Sequence, residues 1–164
     1  NGSKADDHVG GIVRNNFFHR NGSQSGDVGI TINNSVNTKV LHNTVIVSRT
    51  YSNGIEYRFP ATKGVEIRYN LMDAGVQQRD GATGTVSNNV TNAQPIWFVN
   101  AAAGDLHLVA IATAAIDKAA VHPSVPTDYD AETRPQGTVP DIGADEFSLG
   151  SQPPEAPTNV RVLP

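Results

Sequence analysis

Four stretches of the chain share one form, an apolar residue, two variable positions, an asparagine and then further apolar residues: Val13-Arg-Asn-Asn16-Phe-Phe, Val40-Leu-His-Asn43-Thr-Val, Ile67-Arg-Tyr-Asn70-Leu-Met and Val86-Ser-Asn-Asn89-Val-Thr. The asparagines recur after 27, 27 and 19 residues. Between them runs a second series, Gly29-Ile-Thr-Ile, Gly54-Ile-Glu-Tyr and Gly75-Val-Gln-Gln, spaced by 25 and 21. A unit of this length, made of short β-branched runs with no helical apolar period, predicts a solenoid in which each turn stacks on the next. Stacked strands lie about 4.8 Å apart, so equivalent asparagine amides come within hydrogen-bonding reach along a column. Such a ladder satisfies amide groups that a buried turn would strand. Asn16, Asn43, Asn70 and Asn89 are therefore read as structural rather than catalytic.

At 164 residues the chain suits one domain with a real core. Hydrophobic residues make up 38% and charged residues 17%, with Gly, Asn, Thr, Ser and Val abundant, a balance that favours short strands and turns. Twelve basic residues against 16 acidic ones leave no surplus to neutralise a phosphate backbone, so nucleic acid is not an expected partner. The absence of cysteine excludes disulfides and thiolate metal sites. No apolar run approaches the roughly 20 residues of a membrane span, and Asn1 to Asp7 do not read as a signal peptide, so an exported parent protein is expected to carry its signal upstream.

Three regions follow. Residues 1–95 are expected to form about three to four turns. The pattern begins in mid-repeat at Val9 to Val13 with no legible cap before it, so further turns are expected upstream, and the first rung should offer an open strand edge for pairing or oligomerisation. Residues 96–150 read as C-terminal strands and a loop-rich cap, with Trp97 and Phe98 packing over the last turn. Residues 151–164 join a proline-rich linker to an alternating stretch, Thr158-Asn-Val-Arg-Val-Leu, that starts another module.

The asparagine-bearing turns, Phe98-Val-Asn-Ala-Ala-Ala-Gly-Asp-Leu-His-Leu, Ala114-Ala-Ile-Asp117 and the closing Pro140-Asp-Ile-Gly-Ala-Asp-Glu together resemble bacterial right-handed β-helix repeat proteins of the pectate-lyase-like superfamily, over residues 10 to 147. The resemblance implies an all-β, right-handed parallel β-helix whose closing elements seal its C-terminal end. It also implies a secreted or cell-surface setting and business with polysaccharide. The family holds lyases of the pectate, chondroitin and alginate types, and surface proteins of no known activity. The Pro157-Thr-Asn-Val-Arg-Val tail is similar to the first strand of a fibronectin type III module. The aspartates with which such lyases hold Ca²⁺ have no counterpart cluster in residues 13 to 92.

Strand alternation sorts the faces. Ile30, Ile32, Ile55, Tyr57, Val76 and Gln78 are expected inside. The outward columns are then Thr31, Glu56, Gln77 and Asn33, Arg58, Arg79. Two arginines on adjacent rungs repel unless anions offset them. One reading is that Arg58 and Arg79, with Glu56, Asn33, Gln77 and Arg68, bind the carboxylates of an acidic sugar, which guanidinium forks match. The other is that Glu56 and Asp80 neutralise the pair on an ordinary wet surface. A β-elimination lyase also needs a base. Lys63, in a turn, and His42, beside the ladder, are its only candidates, and His42 reads as structural. A hydrolase needs a carboxylate pair, which Glu56 alone does not supply.

Asp128-Tyr-Asp130-Ala-Glu132 alternates three carboxylates. These are oxygen ligands for Ca²⁺ on one reading and a solvated loop paired with Arg134 on the other; the stretch lacks the glycine and length of a calcium loop. No other cofactor is indicated. The composite expectation is a carbohydrate-facing scaffold in a larger exported protein. A polysaccharide lyase with catalytic turns upstream and a structural stalk or adhesin segment are its rivals.

Overall fold

In a computed structural model, residues 7–22 and 25–148 are described. The linker and following strand expected over 151–164 lie outside them. The described residues are all-β, their helix confined to short 3₁₀ turns at Pro95–Trp97 and Ala101–Ala103. The strands, in order, are β1 (His8–Val9), β2 (Ile12–Arg14), β3 (Phe17–His19), β4 (Ile30–Asn33), β5 (Ser35–Val36), β6 (Lys39–Leu41), β7 (Thr44–Ile46), β8 (Asn53–Arg58), β9 (Val65–Arg68), β10 (Leu71–Met72), β11 (Gly75–Arg79), β12 (Gly84–Ser87), β13 (Phe98–Asn100) and β14 (Asp105–Leu108).

Strands from successive repeats pair in parallel and in register. One column runs β2-β6-β9-β12, a second β3-β7-β10 and a third β4-β8-β11, while β1 and β5 pair at a shorter fourth position. Register follows the repeat: Val13, Val40, Ile67 and Val86 align in the first column, and Phe18, Val45 and Met72 in the second. Apart from Val86, their side chains meet Ile32, Ile55 and Tyr57 of the third column in one core between the columns.

Single residues in the left-handed backbone region turn the chain from one column to the next. Asn15, His42, Tyr69 and Asn88, at φ of 54, 49, 57 and 54°, each precede a ladder asparagine. A second set, Asn34, Phe59 and Asp80, follows the third column. Asparagine and aspartate tolerate this region well. The ladder forms as the spacing predicts: Asn16, Asn43 and Asn70 each donate from Nδ2 to Oδ1 of the next asparagine at 2.8 to 2.9 Å, and that Oδ1 also accepts the donor's backbone N–H.

The segment after residue 95 corrects the expectation of an end cap. It runs along the side of the stack. Asn15 Nδ2 donates to Thr127 O, Asp141 O bonds His42 Nδ1, Ala144 N donates to Thr44 Oγ1, and Gly143 N donates to Tyr69 O, so three successive turns are touched. Trp97 and Phe98 share a cluster with Val90 of the last turn and with residues of earlier turns. They join Leu106, Leu108, Ala112, Ala115 and Ile142 in a second apolar cluster against the outer face of the second column, formed by Phe17, Ile46 and Leu71. Val86 on the final rung stays 42% exposed. Gly143, at φ +113°, allows the close approach, since a Cβ there would stand 3.0 Å from Thr44 Oγ1 and 3.1 Å from Leu71 Cβ.

A buried ion pair organises this flanking segment. Arg134 Nη1 meets Glu146 Oε1 at 2.5 Å, and the guanidinium also donates to the carbonyls of Asp141, Gly143, Ala144 and Thr127. Glu146 accepts the backbone N–H groups of Asp141 and Gln136. Arg134 therefore pairs with Glu146 and not with the carboxylates of the Asp128 loop.

Candidate functional site

The third column presents the expected outward rows, Thr31, Glu56, Gln77 and Asn33, Arg58, Arg79, in register. Its open, charged surface is only half realised. Glu56 is 1% exposed, because Tyr51 and Asn53 fold over it and donate to Oε1 at 3.1 and 2.9 Å. Arg79 pairs with Glu56 Oε2 at 3.1 Å, and Arg58 with Asp80 Oδ2 at 2.8 Å. Each arginine thus has its own carboxylate. Gln78 faces the core side yet is exposed, because β11 ends its column; it accepts from Tyr57 OH and donates to Ala82 O.

Arg68 stands apart from these residues. It lies on β9, in the first column, where Nε donates to Ser87 Oγ at 2.9 Å. Here the charges do not cancel. Glu66 receives Lys39 Nζ at 3.1 Å, Arg68 Nη1 at 3.4 Å and His122 Nε2 at 3.7 Å. These cations hold the Glu66 carboxyl below its usual range, although burial pushes the other way. Two permanent cations and a histidine thus meet one carboxylate, and Lys39 and Arg68 keep more than a third of their side chains in solvent. Arg14 shares the register row of Arg68 and donates to Ser124 O. His122 Nδ1 accepts from Ser124 N, which leaves its proton on Nε2, toward Glu66. That tautomer donates and is unsuited to abstracting a proton at this face.

A cleft of about 390 Å³ lies between the second column and the flanking segment, lined among others by His19, Ile46, Arg49, Asp73, Phe98 and Ala101. Asp73 is not free in it, since its oxygens accept the N–H groups of Val47 and Arg49. The other histidine considered as a base, His42, is buried and held near pKa 3 by desolvation and then by the charge of Arg134, so it is neutral and structural.

The acidic loop divides. Asp128 is buried and spent on backbone: Oδ1 accepts from Asp130 N and Glu132 N, and Oδ2 from Glu146 N. Asp130 turns instead to His107, Oδ2 to Nε2 at 2.9 Å, while His107 Nδ1 meets Asp105 Oδ1 at 2.5 Å. Burial lowers the pKa of His107, but Asp105, Asp145 and Asp130 outweigh it and leave the imidazole raised. Buried Asp145 is pushed up to about 7 by desolvation. The ring of Phe17 meets His107 edge-on at 5.2 Å and stacks on Tyr129 at 4.0 Å. This cluster escaped the sequence reading because His107, Asp130 and Asp145 lie 23 and 15 residues apart with no shared motif; Asp105-Leu-His107 was its one local sign.

Among the described residues no helix is long and apolar enough to cross a membrane. No family model, curated protein or solved structure matches the chain.

Proposed function

We propose that this chain is a segment of a right-handed parallel β-helix that serves as a carbohydrate-facing scaffold in an exported protein, with the outward face of its first column directed to acidic polysaccharide. Parallel columns in constant register, joined by single left-handed residues and an asparagine ladder, support the solenoid reading, and parallel crossovers are right-handed in about 98% of cases. The convergence of Lys39 and Arg68 on the single carboxylate of Glu66 carries the functional reading. A surplus of exposed cations is what a row of uronate carboxylates recognises. The one-to-one pairing of Arg58 and Arg79 makes the third column the weaker candidate. Binding is preferred to lyase chemistry because no described histidine at the first column offers a free basic nitrogen to it.

The test is calorimetric titration with oligomers of galacturonate, alginate and chondroitin, with ultraviolet absorbance followed for unsaturated product. Arg68→Ala should weaken binding by about three- to tenfold, Arg58→Ala should leave it unchanged, and 0.5 M salt should weaken it further, as screening of exposed charges requires. Absorbance growth would establish a lyase instead. Silence with every oligomer would leave a structural stalk.

A further inference from the structure

Three carboxylates surround one imidazole in the flanking segment, and they divide into distinct roles. His107 comes from β14, Asp130 from the loop after Asp128, and Asp145 from the closing stretch. One ligand atom from each lies within 4.8 Å of the other two. Asp105 holds the far nitrogen, Nδ1, so that Nε2 is directed at Asp130 and Asp145. Metal-bound histidines are oriented by such a carboxylate on their other nitrogen.

Asp145 supplies an independent sign. It is 6% exposed, and Leu108 N donates to its Oδ2 at 2.7 Å. A buried carboxylate beside a second one is costly unless a cation meets them. Asp130, with 46% of its side chain exposed, closes the set from the solvent side. The rings of Phe17 and Tyr129 wall the imidazole and limit access of water.

We propose that His107, Asp130 and Asp145 form a binding site for one divalent first-row transition-metal ion of the zinc class, with Asp105 as the positioning residue of the imidazole. Ligands about 2.1 Å from one ion stand roughly 3 to 4 Å apart, so atoms already within 4.8 Å of one another need only small shifts to close on an ion. Imidazole with two carboxylates suits zinc, manganese or cobalt, whereas Ca²⁺ prefers an all-oxygen shell. Three protein ligands leave a coordination position for water or a ligand oxygen. The ion would also fasten three distant segments together. This site is independent of the proposed glycan face.

The test is Co²⁺ titration of the whole chelator-treated chain, followed by visible absorption and by the paramagnetic shift of the His107 ring protons, with Zn²⁺ as competitor. One equivalent of Co²⁺ should produce ligand-field bands that Zn²⁺ abolishes. Asp130→Asn should weaken binding at least tenfold and Asp80→Asn should not. Buried Asp145 is left intact, because changing it risks the fold. Asp105→Ala should weaken binding with the fold, read by circular dichroism, unchanged. Absence of bands at millimolar Co²⁺, a His107 ring left unshifted, or equal affinity in Asp130→Asn would overturn the site.

Discussion

His42 shows how one position serves both backbone and packing. Its left-handed φ turns the chain before Asn43, its ring packs at 5.1 Å from that of Tyr69, and its Nδ1 bonds Asp141 O of the flanking segment. Burial then holds the imidazole neutral, near pKa 3 against an ordinary 6.5. Below pH 6.5 the unfolded chain takes up the proton first, so the stability tied to neutral His42 is present above 6.5 and lost as pH falls toward 3. The loss is at most about 1.4 kcal/mol per pH unit. His42→Asn keeps a residue suited to the left-handed turn and removes the titration. It should be less stable than the parent at pH 7, and the gap should narrow between pH 6 and pH 4 in urea unfolding. A gap independent of pH would contradict the account. Asp141, which burial pushes up to about 6, acts in the opposite sense in both proteins and cancels in the difference. The ladder was legible because identical residues at constant spacing report stacking directly. The burial of Glu56 was not, because the covering Tyr51 and Asn53 act through loop geometry that strand alternation does not encode.

At the scale of elements, the second column stands out by its sequence and by the apolar cluster on its outer face. Phe17-Phe18, Val45-Ile46-Val47 and Leu71-Met72 are consecutive apolar runs, the pattern of strands buried on both sides. Those runs stand in the sequence, but a lateral partner and an end cap share the same composition, and only the long-range bonds distinguish them. The flanking segment lacks extended strand pairing beyond β13 and β14, so its order depends on the Arg134–Glu146 pair and the carbonyls around it. Removing one member of a fully buried pair leaves the other charge uncompensated. Arg134→Ala is therefore expected to cost about 3–5 kcal/mol in urea unfolding. It should also expose amides of residues 140–147 to hydrogen exchange while those of the ladder turns stay protected. A cost below about 1 kcal/mol would contradict the role assigned to the pair.

The whole molecule carries a formal charge of −4, yet its charges are not evenly spread. The third column is neutralised pair by pair, the His107 cluster is acidic, and the first column around Glu66 is cationic. The sequence grouped Arg68 with Arg58 and Arg79 as a candidate but could not say that it belonged to another face, because that depends on which column each strand joins. The positive face is the central claim. It is tested most directly by titrating the isotope-labelled protein with oligogalacturonate and following backbone amide shifts. Shifts confined to residues 39–41, 66–68 and 122–124 are predicted; shifts centred on 31–33, 56–58 and 77–80, or none at saturating ligand, would contradict it.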